Sequence, residues 1–104
     1  MEILRKLPPR ELVPGITAHY QHGNAMTLGL VLIKAGTSMG EHKHPHEQIT
    51  YMISGEMRMM IGDELVILKA GAVQVIPSNI MHGAFAITDC ELIDVFTPVR
   101  EDYR

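Results

Sequence analysis

The sequence predicts an all-β domain, a sandwich or barrel of about eight short strands. Short apolar runs recur between Gly, Pro, Asn and Asp, and no window sustains the i, i+3, i+4, i+7 spacing of an amphipathic helix. Within some runs apolar and polar residues alternate, as on a strand with one covered face.

Taken in order, the expected strands are Gly15–Tyr20, Met26–Ile33, Gln48–Ser54, Glu56–Ile61, Glu64–Leu68, Ala72–Ile76, Gly83–Ile87 and Glu91–Thr97. Gly55 divides the third from the fourth. Gly62-Asp63, between two apolar runs, is the clearest hairpin signal. Ala70-Gly71 and Pro77-Ser78-Asn79 supply the next two turns. In Glu56–Ile61, Met57, Met59 and Ile61 share one face, with Glu56 and Arg58 on the other. Met60, with Val31, Ile33, Ile93 and Val95, implies strands that are apolar on both faces, and a second copy of the chain is the expected cover, a homodimer.

The 104 residues suit one domain over residues 1–104, with a core of about 15–100 between terminal arms. A hydrophobic fraction of 46% belongs to a globular chain. The net charge of −3 comes from interspersed charges, which leaves no basic stripe for nucleic acid and no polybasic segment for a membrane surface. No apolar run approaches the roughly 20 residues needed to span a bilayer. Cys90 is the only cysteine and is read as a small apolar strand residue; with no secretory h-region near Met1, the cytoplasm is the expected location.

The densest polar stretch is Gly40-Glu41-His42-Lys43-His44-Pro45-His46-Glu47-Gln48. On an extended chain, side chains two apart share a face, so His42, His44 and Gln48 can converge. Imidazole nitrogens suit Zn, Cu, Fe and Ni. His46 has the same parity, but Pro45 interrupts the strand, and it is expected beside the ligands or near a mouth. His19 and His22 are expected in surface or structural roles.

The spacing Gly36-(five residues)-His42-Lys43-His44-(three residues)-Gln48-(six residues)-Gly55 resembles the first cupin motif, and Gly71-(five residues)-Pro77-Ser78-Asn79-Ile80-Met81-His82 resembles the second. The resemblance implies a double-stranded β-helix, the jelly-roll barrel, with one divalent metal ion (Ni, Zn, Mn or Fe) on His42, His44, Gln48 and His82. Gln48 stands where many cupins carry Glu, and Asn79 where the second motif usually has Gly. Asn tolerates a left-handed turn. A neutral Gln48 leaves the full charge of the cation, which favours an anionic ligand and argues against an iron oxygenase.

In the last strand Asp94 and Phe96 share one face, with Ile93 and Val95 on the other. An acid here is costly to bury unless it is paired or functional. Pro45-His46-Glu47-Gln48 together with Asp94-Val95-Phe96-Thr97-Pro98-Val99-Arg100-Glu101-Asp102 resembles the small KdgF-type cupins of pectin and alginate breakdown. That family converts 4,5-unsaturated uronates to linear keto forms. The resemblance implies a small anionic sugar-acid substrate, and places Asp94, Phe96, Arg100 and Gln48 in the active site. The alternatives are another metal-dependent cupin enzyme, such as a dioxygenase, or a non-enzymatic metabolite-binding cupin, since this barrel hosts many functions.

Overall fold

The computed structural model describes residues 1–104 and contains ten strands. They are β1 (Arg10–Val13), β2 (Ile16–His22), β3 (Thr27–Ile33), β4 (Ser38–His42), β5 (Glu47–Ser54), β6 (Glu56–Ile61), β7 (Glu64–Lys69), β8 (Val73–Ile76), β9 (His82–Ala86) and β10 (Cys90–Thr97). All pairings are antiparallel. A six-stranded sheet runs β1-β2-β3-β10-β5-β8, and a four-stranded sheet runs β4-β9-β6-β7. This is the jelly-roll arrangement expected, with two strands more than the apolar pattern shows. Both extra strands, β1 and β4, lie at sheet edges.

The turns follow their residues. Gly62 sits first in the two-residue β6–β7 loop with φ 57, as a type II′ hairpin requires. Asn79 takes φ 61, the left-handed conformation that Asn accepts more readily than most residues.

Inward side chains of the two sheets form one core, which includes Ile16, Met52, Met57, Ile76 and Leu92. Met57 and Met59 are buried and Arg58 exposed, as the alternation implies. Cys90 is a buried free thiol at the start of β10. Val31 and Ile33 point into the core, whereas Ile93 and Val95 lie on the outer face of the six-stranded sheet. That outer face is apolar over a wide area. In register, Val95 pairs with Leu28 and Ile49, Ile49 with Val75, and Tyr51 with Ile93 and Val73.

The two helical elements are 3₁₀ turns, Leu4–Lys6 and Glu101–Tyr103. No helix is long and apolar enough to cross a membrane.

Candidate metal centre and cavity

Three imidazoles meet between the sheets. His42 ends β4 and pairs directly with His82 at the start of β9, so both side chains leave the same face of the four-stranded sheet. His44 follows in the connection to β5, where its carbonyl accepts from the Asn79 amide at 2.8 Å. Gln48 then enters from β5, in the six-stranded sheet. The convergence of His42, His44 and Gln48 therefore comes from the chain changing sheets between Lys43 and His46, and not from the face of one continuous strand.

One nitrogen from each of His42, His44 and His82 lies within 4.8 Å of the other two. The backbone sets the tautomers. Nδ1 of His42 donates to the Gly40 carbonyl at 2.9 Å, Nδ1 of His44 to the His46 carbonyl at 2.9 Å, and Nδ1 of His82 to the Ile80 carbonyl at 2.8 Å. A carbonyl only accepts, so each Nδ1 carries the proton and each neutral ring keeps its Nε2 lone pair. The His82 Nε2 is buried with no hydrogen-bond partner. Burial also lowers the pKa values of His44 and His82, which favours the neutral form a metal requires.

Gln48 completes the set. Its amide nitrogen donates to Thr50 Oγ1 at 3.0 Å and to Asp94 Oδ1 at 3.1 Å, and the Thr50 hydroxyl donates to the same oxygen at 2.6 Å. An ionised carboxylate accepts only, so Asp94 fixes which way the amide points. Gln48 Oε1 is thereby turned to His44 Nε2 at 3.1 Å, and two acceptors face one another. A cation between them resolves that opposition. The orphaned His82 nitrogen and this acceptor pair fit a divalent ion held by three nitrogens and an amide oxygen. His46 lies beside the triad, and its carbonyl holds His44.

The triad opens into a cavity lined from both sheets. Met39, Met57 and Met59 supply part of its apolar wall. Its polar groups are Gln48, Thr50, Asp94 and Arg100 beside the imidazoles, with the phenols of Tyr20 and Tyr103. Burial raises the pKa of Asp94 to about 6, against the lowering effect of the Thr50 and Gln48 hydrogen bonds. Arg100 is 5% exposed and sandwiched, its guanidinium 4.6 Å from the Phe96 ring centre and 4.0 Å from that of Tyr103. Its Nε and Nη2 are bonded to the Asp102 carboxylate at 3.0 and 2.8 Å, which leaves Nη1 uncommitted. The Phe96 ring meets His44 edge-on at 5.7 Å. The fold thus brings His42, His44, Gln48, His82, Asp94, Phe96 and Arg100 to one cavity.

Thr50, Tyr20 and Tyr103 line it as well, beyond the residues the sequence points to, and Asp102, which does not line it, holds Arg100. Thr50 shares the parity of Gln48, and Tyr20 that of the buried Ile16 and Ala18, so both were open to detection. His19 and His22 have structural roles: Nδ1 of His19 bonds the Leu7 carbonyl at 2.8 Å, and His22 bonds Thr27 Oγ1 at 2.9 Å.

Residues 29–96 match the family described as Cupin domain. The chain belongs to the cupin family. Among individual proteins, this cupin is 39% identical over 64 residues to the "Pectin degradation protein KdgF" of Dickeya dadantii. That match takes in 60% of this chain and 58% of the Dickeya protein. The solved structure of KdgF from Halomonas sp. superposes with a TM-score of 0.91 at 30% identity, covering 98% of this chain and 96% of the other. An RmlC-like cupin from Shewanella frigidimarina superposes with a TM-score of 0.93 at 24% identity, over 100% of this chain and 95% of that one. The cupin is therefore a small single-barrel member of KdgF-like build.

Proposed function

We propose that this cupin opens the ring of 4,5-unsaturated uronate monosaccharides, the products of pectin or alginate breakdown, and delivers them as linear keto forms. The observation that carries the reading is one cavity that holds a neutral His42/His44/His82/Gln48 donor set together with the acid Asp94 and the buried cation Arg100. Similarity to two KdgF proteins, one named for pectin degradation, supports the substrate class.

The substrate carries a carboxylate next to an enol ether, closed as a cyclic hemiacetal. A divalent ion (Ni, Zn, Mn or Fe) on His42, His44, Gln48 and His82 supplies Lewis acidity for charge developing on the sugar oxygens. Because all four ligands are neutral, the site attracts an anion. Arg100 contributes a second cation; with Nε and one N–H of Nη2 held by Asp102, its grip on the substrate carboxylate falls to Nη1 and the second N–H of Nη2. Asp94 takes the proton of the anomeric hydroxyl as the C1–O5 bond breaks. It then returns that proton to C4, which leaves an aldehyde at C1 and a ketone at C5. A pKa near 6 suits a group that both accepts and gives a proton near neutrality. Phe96 walls the sugar and excludes water.

The protein acts in the cytoplasm on this reading, as a homodimer joined through the apolar outer face of the six-stranded sheet. That face presents the same patch on each copy, as a two-fold interface requires.

The test follows a freshly released unsaturated uronate by proton NMR, with the protein loaded with each metal in turn. Faster loss of the C4 vinyl proton, abolished by His82→Ala, is expected. No acceleration with any metal overturns the assignment, and oxygen uptake with a redox metal would point to a dioxygenase instead.

A further inference from the structure

Tyr20 has no part in the chemistry above, yet its place in the sheet is specific. Across the six-stranded sheet Tyr20 pairs with Gly29, Gly29 with Asp94, and Asp94 with Thr50. These positions share the inner face, and in that row Gly29 alone lacks a side chain. The Tyr20 ring fills the gap. A Cβ added at Gly29 would stand 2.5 Å from Tyr20 Cε1 and 2.7 Å from Cδ1. Glycine at 29 is thus what lets the phenol lie across β3 toward Asp94.

Two further observations fix the ring. It stacks on Tyr103 with centres 4.7 Å apart and planes 18° apart. Tyr103 in turn packs on Arg100, Arg100 on Phe96, and Phe96 on His44. One continuous stack therefore runs from the imidazole triad to Tyr20 along the cavity wall. On the Gln48 side, both hydrogen bonds to Asp94 use Oδ1, so Oδ2 is left for the cavity. Burial, followed by the neighbouring Tyr103 and Asp94, raises the pKa of Tyr20, so the phenol keeps its proton.

We propose that the Tyr20 hydroxyl is a further catalytic group, a neutral hydrogen-bond donor to the ring oxygen of the sugar as the C1–O5 bond breaks. This rests on the uronate reading. Electrons of the C1–O5 bond pass to O5, the C1 hydroxyl proton moves through Asp94 to C4, and Tyr20 donates a hydrogen bond to O5 without giving up its proton. The step is an isomerisation and needs no oxidant or reductant. A donor aimed at oxygen charge that exists only in the transition state raises kcat more than it tightens substrate binding.

The experiment compares wild type and Tyr20→Phe, both metal-loaded, in the NMR assay with an unsaturated uronate monomer. Phenylalanine keeps the ring on Gly29 and the stack on Tyr103 and removes only the hydroxyl. The expected result is a kcat about 100-fold lower, with KM changed less than about threefold and the metal-induced rise in melting temperature intact. Gly29→Ala, which keeps the hydroxyl but displaces the ring, should lower kcat in the same sense. An active wild type with Tyr20→Phe at full kcat overturns the role of Tyr20 and leaves the uronate reading standing. An inactive wild type overturns both. A Tyr20→Phe protein that loses its metal-induced thermal shift overturns the proposal in favour of a structural role.

Discussion

Asp94 sits on β10 between Ile93 and Val95, which face outward, and itself faces a cavity where burial disfavours its charge. The folded chain holds this proton more tightly than the unfolded chain, because its pKa rises from 3.8 to about 6. The sign follows from that ordering: Asp94 favours folding below its unfolded pKa, and this contribution is lost as pH rises through about 6. Asp94→Asn keeps an oxygen to accept from Gln48 and Thr50 but carries no charge. In metal-free protein it should be more stable than wild type by about 2 kcal/mol above about pH 7, with the gap closing towards about pH 4. Urea unfolding midpoints of the two proteins across that range measure the difference. His44 and His82 shift stability with pH in the opposite sense, but they do so in both proteins and cancel. The same variant should be inactive in the uronate assay, so stability and activity move in opposite directions at one residue.

At the scale of elements, the donor set of the three imidazoles and Gln48 joins an edge strand to the opposite sheet. His42 comes from β4, which pairs only with β9, while Gln48 comes from β5. A metal ion that binds the folded chain alone adds about 2.7 kcal/mol at 100 times its dissociation constant. For a chain of this length that corresponds to a rise of about 10–20 °C in melting temperature. A thermal melt with and without Zn or Ni should show the rise, chelator should reverse it, and His82→Ala should abolish it. A His82→Ala protein that keeps the full shift would remove His82 from the site. Composition explains what the sequence hid. Arg10–Val13 and Ser38–His42 carry no apolar run and have little covered surface, so neither shows the alternation that marks β5, β6 or β10. β7 and β8 are edge strands too, but Leu65–Leu68 and Val73, Val75 and Ile76 make them legible, and Gly and Asn turns set off the remaining strands. His42 and His44 were legible through their spacing and His82 through the resemblance to the second cupin motif, whereas Tyr103 was not, because only the return of the chain after β10 brings it to the cavity.

For the whole molecule, the proposed homodimer makes a prediction about the outer face of the six-stranded sheet. Val73 is 65% exposed, Val75 47%, Tyr51 45% and Ile49 42%, and no charged side chain lies among these paired positions. A contiguous apolar area on a small domain marks an interface. Light scattering coupled to size exclusion should give twice the 11.6 kDa chain mass. The pair Ile49→Lys and Tyr51→Glu should give the single mass with its far-ultraviolet dichroism unchanged. A wild-type monomer at micromolar concentration would refute the dimer and leave the cavity reading untouched.

The methionines that line the cavity have a bearing on selectivity. Met39, Met57 and Met59 are unbranched, with three rotatable bonds each, so this part of the wall adapts to whatever lies against it. An adaptable wall discriminates poorly between stereoisomers of equal size. On the proposed uronate reading, the choice between sugars that differ only in the orientation of a hydroxyl therefore falls to the fixed polar groups of the cavity: Asp94, Arg100 and the phenol of Tyr20. On that reading, changing the preferred epimer calls for moving a hydrogen bond, and reshaping the apolar wall would leave the preference where it was.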